Sequence, residues 1–141
     1  MLSNRTRRLA GIALALYGAV AAVIVFTPVS YAQLVQAIAR SISRATGWDF
    51  YGSGWIEFVA NIALFVPLGL LLALVLRRAW LGALVAVIIS ITVELAQSII
   101  PNREPAVRDV ISNAIGAAIG AFLAWLIILR RRRTTRPPGR V

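Results

Sequence analysis

The chain has 141 residues, of which 60% are hydrophobic and 14% are charged, and it contains neither cysteine nor histidine. Its mean hydropathy of +0.82 is too high for a water-soluble domain of this size. The missing residue types exclude disulfides, thiolate catalysis, Cys/His zinc sites and imidazole acid–base chemistry, and we expect no metal ion and no cofactor. The formal charge of +10 comes from arginines that flank apolar stretches. No aromatic residues alternate with them as a stacking platform would require, so nucleic acid is not an expected partner.

Four apolar stretches are each long enough to cross a hydrocarbon core about 30 Å thick, which takes about 20 helical residues. Unpaired backbone groups are not tolerated against lipid, and four strands are too few to close a barrel, so each stretch is predicted to be a helix. The predicted fold class is therefore all-α, a polytopic membrane helical bundle with four transmembrane helices and one interfacial amphipathic helix. The predicted spans are Leu9–Phe26, Trp55–Leu76, Leu81–Ile100 and Val107–Leu129.

The first span has a second interpretation as a cleavable signal peptide. Arginines precede it, and Ser30-Tyr31-Ala32 follows it with the small-x-small pattern of a cleavage site. Its apolar run of 18 residues is longer than the apolar region of about 7–15 residues found in signal peptides. We therefore expect the span to be retained.

Residues 28–54 form the longest connection between spans. Leu34, Ile38 and Ile42 recur every four residues, which predicts an amphipathic helix that lies on the membrane surface and ends near Gly47. Two roles fit this helix: a connector along the membrane surface, or a lid over a binding site.

The arginines predict the orientation of the bundle. Eleven of them flank one side of the predicted spans and four flank the other, so the positive-inside rule places both termini and the turn at 77–80 in the cytoplasm. The tail is expected to be disordered and attracted to anionic lipids. The chain then divides into a basic N-terminus (1–8), the first span (9–27), an extracytoplasmic segment (28–54), a three-span domain (55–129) and a basic tail (130–141).

Polar residues inside the spans are costly, at about 2.5–3.5 kcal/mol for a charged side chain at a helix centre. In the third span Ser90, Glu94 and Gln97 share one helix face, and in the second span Glu57 and Asn61 do so near the same end. These residues are therefore expected to meet at one depth.

The fourth span continues the pattern. Asp109, Asn113, Gly116 and Gly120 share one face, and the two glycines allow another helix to approach closely. The short turn before this span supplies Arg103. The candidate polar site comprises Asn61, Glu94, Gln97, Arg103, Arg108, Asp109 and Asn113, and the expected helix-packing positions are Gly116, Gly120, Pro67 and Gly69.

These polar residues have two interpretations: interhelical hydrogen bonds that hold the bundle together, or a functional site. Hydrogen bonds between membrane helices contribute less than about 2 kcal/mol each, and serine or threonine can supply them at lower cost. The presence of acids and arginines therefore favours a site.

The ordered set of polar residues from Asn61 to Ala124 resembles the VanZ-like family. The resemblance implies a small polytopic bacterial membrane protein with no agreed catalytic reaction, in a family named for a member that raises resistance to teicoplanin. The residues that carry it are Asn61-x-x-x-Phe65-x-Pro67-x-Gly69, Glu94-x-x-Gln97, Pro101-x-Arg103 and Asp109-x-x-x-Asn113-x-x-Gly116-x-x-x-Gly120.

Three functions follow as hypotheses. The first is an envelope protein whose polar site binds an envelope precursor or a lipophilic glycopeptide, with membrane lipids as further partners. The second is an enzyme that acts on a lipid-linked substrate with Glu94 and Asp109 as paired carboxylates. The third is a small transporter, which would have to be a homo-oligomer. The sequence assigns no catalytic residue and leaves the oligomeric state open.

Overall fold

The computed structural model describes residues 4–26, 31–47, 55–97 and 107–134, and within these ranges the chain is helical and contains no strand. Four of its five helices are long and apolar enough to cross a membrane. The predicted all-α fold with four transmembrane helices is therefore confirmed. The helices are α1 (Asn4–Phe26), α2 (Tyr31–Thr46), α3 (Trp55–Leu76), α4 (Ala79–Gln97) and α5 (Val107–Thr134).

Three helix boundaries differ from the predicted spans. Helix α1 begins at Asn4, and α4 begins at Ala79, while the predicted end of the third span at Ile100 lies outside the described residues. Helix α5 continues to Thr134, past Leu129, so the expected disordered tail is helical over its first residues. Arginine is a good helix former and is favourable near a helix C-terminus, which explains this extension.

Helix α2 is the predicted amphipathic helix, and it contacts α3. It ends at Gly47, whose φ of 72° is in the left-handed region that glycine adopts without a steric penalty. The Gly47 N–H donates to the Ser43 carbonyl at 2.8 Å, and the Thr46 hydroxyl donates to the Ile42 carbonyl at 2.8 Å. The first bond satisfies a carbonyl that the end of a helix leaves unpaired.

Helices α3, α4 and α5 form the centre of the bundle. The chain reverses at Arg77, whose φ of 59° ends α3 in a left-handed conformation, and α4 runs back antiparallel to α3. Helix α5 then runs parallel to α3, and these two make the most extensive contact in the bundle. The first residues of α3 and α5 and the last residues of α4 thus lie at one end, which we call the acidic end because it holds Glu57, Glu94 and Asp109.

Small residues allow the central helices to approach at backbone distance. A Cβ added at Gly116 would lie 2.4 Å from the Ile62 carbonyl oxygen, and one added at Gly69 would lie 2.3 Å from the Ala117 carbonyl oxygen. At the other end of the bundle, a Cβ at Gly82 would lie 2.5 Å from the Ala73 backbone nitrogen. Membrane helices gain little from burying apolar groups against one another, so this close packing is a main source of their association.

Helix α1 packs antiparallel against α3. The Tyr17 hydroxyl donates to the Leu64 carbonyl, and the Arg77 guanidinium donates to the Asn4 side-chain oxygen at 3.2 Å. Leu64 lies one residue after Ala63, whose carbonyl loses its helical donor because Pro67 has no N–H. One polar contact in the middle of the interface and one at its end therefore fix the register of α1.

Large apolar side chains cover the outside of the bundle. In α1 they form one stripe, and in α4 and α5 they cover the faces turned away from α3. Such a surface is expected in contact with lipid and not with water. The exposed members in α1 are Leu9, Ile12, Leu16, Val20 and Val23.

Candidate functional site

A layer of buried polar side chains crosses the three central helices one turn inside the acidic end. It consists of Asn61 from α3, Ser90 from α4 and Asn113 from α5, and their exposed fractions are 9%, 1% and 8%. The Asn113 Nδ2 donates to the Ser90 Oγ at 2.8 Å. We call these three residues the inner polar layer.

The side-chain oxygen of Asn113 is buried and has no hydrogen-bond partner among the described residues. A buried acceptor that is left unpaired costs about 1–3 kcal/mol. The amide nitrogen of Asn113 donates to Ser90, so the side-chain atom of Asn113 without a partner among the described residues is an acceptor.

A second layer lies one turn further toward the acidic end. Glu57, Glu94 and Asp109 each lie four residues from a member of the inner polar layer and therefore on the same helix face. Because Ser90 contacts Asn113 across antiparallel helices, Glu94 and Asp109 lie level with each other. We call Glu57, Glu94 and Asp109 the carboxylate layer, and all three are partly exposed.

An arginine contacts this carboxylate layer, and a serine hydroxyl bonds the backbone beside it. The Arg108 guanidinium lies 3.6 Å from the Glu57 carboxylate, and their side chains are 48% and 38% exposed. Half-exposed pairs of this kind contribute about 1 kcal/mol or less. Below them the fully buried Ser112 hydroxyl donates to the Asp109 backbone carbonyl at 2.9 Å. The first turn of α5 is thereby held by its own serine.

The structure brings together part of the candidate site predicted from the sequence. Asn61 and Asn113 share the inner polar layer, while Glu94, Arg108 and Asp109 lie one turn outward. The side chain of Gln97 and all of Arg103 lie outside the described residues. The predicted packing positions Gly116 and Gly120 lie on the face of α5 that meets α3, Gly69 lies on the facing side of α3, and Pro67 lies within α3 without ending it.

The predicted site omitted two residues that the structure places in these layers. Ser90 is fully buried and bonds Asn113, and Glu57 pairs with Arg108. Both signals were present in the sequence, since Ser90 shares a helix face with Glu94, and Glu57 shares one with Asn61. A serine in a membrane helix is a weak indicator of a contact between helices, because its hydroxyl often bonds a backbone carbonyl of its own helix.

The chemistry available to these layers is that of carboxylates, amides, hydroxyls and guanidinium groups. Among the described residues, no three acidic side chains are grouped closely enough to hold a metal ion. The arrangement can bind a polar group through several hydrogen bonds, and Glu94 with Asp109 can exchange protons with it.

Comparison with known proteins agrees with the resemblance inferred from the residues. A family model described as VanZ/LLP1 matches residues 14–129, so the match includes α1 and α2 as well as the three central helices. No curated protein and no solved structure matches the chain. A match of this extent covers most of the sequence and spans both polar layers, and the chain is therefore a membrane protein that belongs to the VanZ/LLP1 family.

Proposed function

We propose that the protein lies in the bacterial cytoplasmic membrane with both termini in the cytoplasm and the acidic end on the outside. The antiparallel helices place the arginines that begin α1 and those between α3 and α4 at the end opposite the carboxylate layer. This distribution supports the positive-inside orientation.

The orientation can be tested with a single cysteine, because the chain has none of its own. A membrane-impermeant thiol reagent applied to intact cells should label Asn102→Cys and should label Ser3→Cys only after the membrane is opened. The reverse pattern would overturn the orientation.

The proposed activity is binding. The acidic end recognises an envelope component or a lipophilic glycopeptide near the outer surface, and through this binding the protein contributes to resistance against glycopeptides such as teicoplanin. The observation that carries the proposal is the buried Asn113 oxygen, which has no hydrogen-bond partner among the described residues and lies beneath a layer of carboxylates. In the same proposal Arg103 and Arg108 meet an anionic group of the ligand.

The alternative, that these polar residues only hold the helices together through hydrogen bonds, explains less of this arrangement. The Asn113–Ser90 bond and the Glu57–Arg108 pair do connect helices, and bonds of the first kind average about 0.6 kcal/mol in membrane proteins. Leaving the second polar atom of Asn113 unpaired costs about 1–3 kcal/mol. Bundle stability alone would favour a smaller or apolar residue at this position, whereas a ligand group that reaches the oxygen would remove the penalty.

Deletion and complementation test the proposal. In the native host, the deletion strain is complemented with wild type, Glu94→Gln, Asp109→Asn or Arg103→Gln, and teicoplanin susceptibility is measured beside the membrane abundance of each protein. Asp49→Asn is the matched control, because it makes the same acid-to-amide change at a residue that is not a member of the candidate site. We expect the deletion and the three site variants to be more susceptible at normal abundance and the control to behave as wild type.

Two results would refute the proposal. One is a deletion strain with unchanged susceptibility. The other is a set of site variants that lose function only when they fail to accumulate, which would make the polar residues bonds between helices and nothing more.

A second candidate function is catalysis on a lipid-linked substrate. It is favoured by the level placement of Glu94 and Asp109 on facing helices, since two carboxylates at one depth can act as general acid and general base. Product formation by the purified protein, lost in both Glu94→Gln and Asp109→Asn, would establish it. Binding of an unchanged ligand would leave the first proposal in place.

A further inference from the structure

Arginines from two separate segments meet at the end of the bundle opposite the acidic end. Arg7 and Arg8 lie near the start of α1, Arg77 and Arg78 lie in the turn between α3 and α4, and all four are exposed. The two segments are in direct contact, since the Arg77 guanidinium donates to the Asn4 side-chain oxygen at 3.2 Å. Arg7 and Arg8 follow Asn4 by three and four residues and therefore lie on the same side of α1. We call these four arginines the basic patch.

Apolar packing fixes the position of the basic patch. Ala10 of α1 and Ala73 of α3 belong to one buried cluster, and Ala79, at the start of α4, packs against it. Ala10 follows Arg8 by two residues, and Ala79 follows Arg78 directly. The backbone at both segments is thus held by contacts between helices. Like charges that are kept close in this way repel one another, and a bound anion relieves the repulsion.

The carboxylate side chains that the structure describes are too far away to neutralise the basic patch. They are Glu57, Glu94 and Asp109, which form the carboxylate layer at the acidic end. Glu57 lies in the first turn of α3, and Arg77 directly follows its last residue. The 22 residues of this helix span about 33 Å, a distance over which salt screens the attraction between exposed charges. The basic patch is therefore complementary in charge to an anionic partner.

Two tryptophans indicate the depth of the basic patch in the membrane. Trp80, in the first turn of α4, is 62% exposed, and Trp125 of α5 is 46% exposed. Tryptophan is enriched at the membrane–water interface, at the level of the lipid headgroups. Arg78 precedes Trp80 by two residues on the side away from the span. The guanidinium groups can therefore reach the phosphates of the lipids.

An open side of α1 continues from the basic patch into the span. Gly11 and Gly18 follow Asn4 by seven and fourteen residues and so share its side of the helix. A Cβ added at either glycine would meet nothing within 4 Å, whereas the glycines within α3, α4 and α5 lie against a neighbouring helix. The part of the chain that the structure describes thus leaves room beside α1 for an acyl chain.

We propose that the basic patch binds the phosphate of an anionic phospholipid, one of whose acyl chains lies along α1 past Gly11 and Gly18. Arginine suits this ligand because its planar guanidinium can donate two parallel hydrogen bonds to phosphate oxygens. A zwitterionic headgroup would bring a cation of the same sign as the patch and is therefore disfavoured. This lipid site is separate from the carboxylate layer, and the inference does not depend on the function proposed for the acidic end.

Two lipids with the same chains test the headgroup preference. Purified protein in detergent is titrated with dioleoyl phosphatidylglycerol or dioleoyl phosphatidylcholine, and binding is followed by native mass spectrometry. We expect phosphatidylglycerol to bind about tenfold more tightly. Arg8→Gln and Arg78→Gln should each weaken phosphatidylglycerol binding about fivefold, as expected for one exposed ion pair, and should leave phosphatidylcholine binding unchanged. Arg44→Gln, in α2, is the matched control and should bind both lipids as wild type does.

A second pair of variants tests the position of the acyl chain. Gly18→Leu fills the open side of α1, while Ala13→Leu adds the same side chain at an exposed position on another side of the helix. A Cβ at Gly18 meets no neighbour, so the variant should fold, and circular dichroism checks this. We expect Gly18→Leu to weaken phosphatidylglycerol binding about fivefold and Ala13→Leu to leave it unchanged.

Equal binding of the two lipids would overturn the inference, as would an equal loss in Arg44→Gln. A variant with Arg131, Arg132 and Arg133 replaced by glutamine separates the basic patch from the tail. If that variant loses the preference for phosphatidylglycerol while Arg8→Gln and Arg78→Gln retain it, the tail attracts the lipid and the proposed site is wrong. Unchanged binding in Gly18→Leu would overturn the placement of the acyl chain.

Discussion

Replacement of Gly120 by alanine should force α5 away from α3. A Cβ at this position would lie 2.0 Å from the Val66 carbonyl oxygen and 2.6 Å from the Leu70 backbone nitrogen, whereas real Cβ atoms essentially never come within 3.0 Å of such atoms. Both neighbours are backbone atoms that cannot rotate aside as a flexible side chain would. One of the two helices must therefore move by about 1 Å, in the most extensive interface of the bundle.

The size of the effect follows from two opposing contributions. Overpacking of a well-packed interface costs about 1–3 kcal/mol, and the backbone contacts place Gly120→Ala toward the upper part of this range. Removal of a glycine from a helix interior stabilises the helix by about 0.5–1 kcal/mol. The net expectation is a loss of about 1–2 kcal/mol, which lowers the ratio of folded to unfolded protein about five- to thirtyfold.

Unfolding in detergent micelles titrated with sodium dodecyl sulfate measures this loss, with the fluorescence of the four tryptophans as the signal. Gly18→Ala is the matched control, because a Cβ at Gly18 would meet nothing within 4 Å. We expect the control to be slightly more stable than wild type. If both variants are equally stable, or if Gly120→Ala is stabilised, the close approach of α3 and α5 is wrong.

Three further predictions concern polar contacts. Tyr17→Phe removes the bond from α1 to an α3 carbonyl and should lower the free energy of unfolding by about 0.5–1.5 kcal/mol, with faster hydrogen exchange in α1 than in α4. Ser90→Ala leaves the Asn113 Nδ2 unpaired and should cost about 1–3 kcal/mol, whereas the double variant with Asn113→Leu should lose less than the sum of the single changes in a double-mutant cycle. A cycle of Glu57→Gln and Arg108→Gln should give a coupling below about 1 kcal/mol that weakens with salt, because both side chains are well exposed.

The helices were predictable because the membrane allows few alternatives. Each apolar stretch is long enough to cross the membrane, and its backbone N–H and C=O groups must be hydrogen-bonded within the segment, so it forms a helix. The second predicted span, Trp55–Leu76, has the same bounds as α3. The ends of α1 and α5 were less predictable because arginine does not stop a helix. Hydropathy falls at Arg130, yet the helical hydrogen bonding continues to Thr134.

Within the candidate site, helix faces were predictable and partners were not. Spacing in the sequence placed Asp109 with Asn113 and Glu94 with Ser90. The bond from Asn113 to Ser90 depends on the register between two antiparallel helices, and that register is set by the backbone contacts of small residues elsewhere. No local pattern encodes which polar atom of Asn113 is bonded and which has no partner in the part of the chain that the structure describes.

The parallel pairing of α3 with α5 has a consequence for the biogenesis of the protein. These helices are separated along the chain by α4, so the tightest interface of the bundle forms only after the last span has entered the membrane. Until then the surface of α3 around Gly69 and the polar side chains of Asn61 and Ser90 are exposed to lipid or to the insertion machinery. A chain that stalls before α5 would display these groups in the bilayer, where quality-control proteases and membrane chaperones recognise unassembled polar helices.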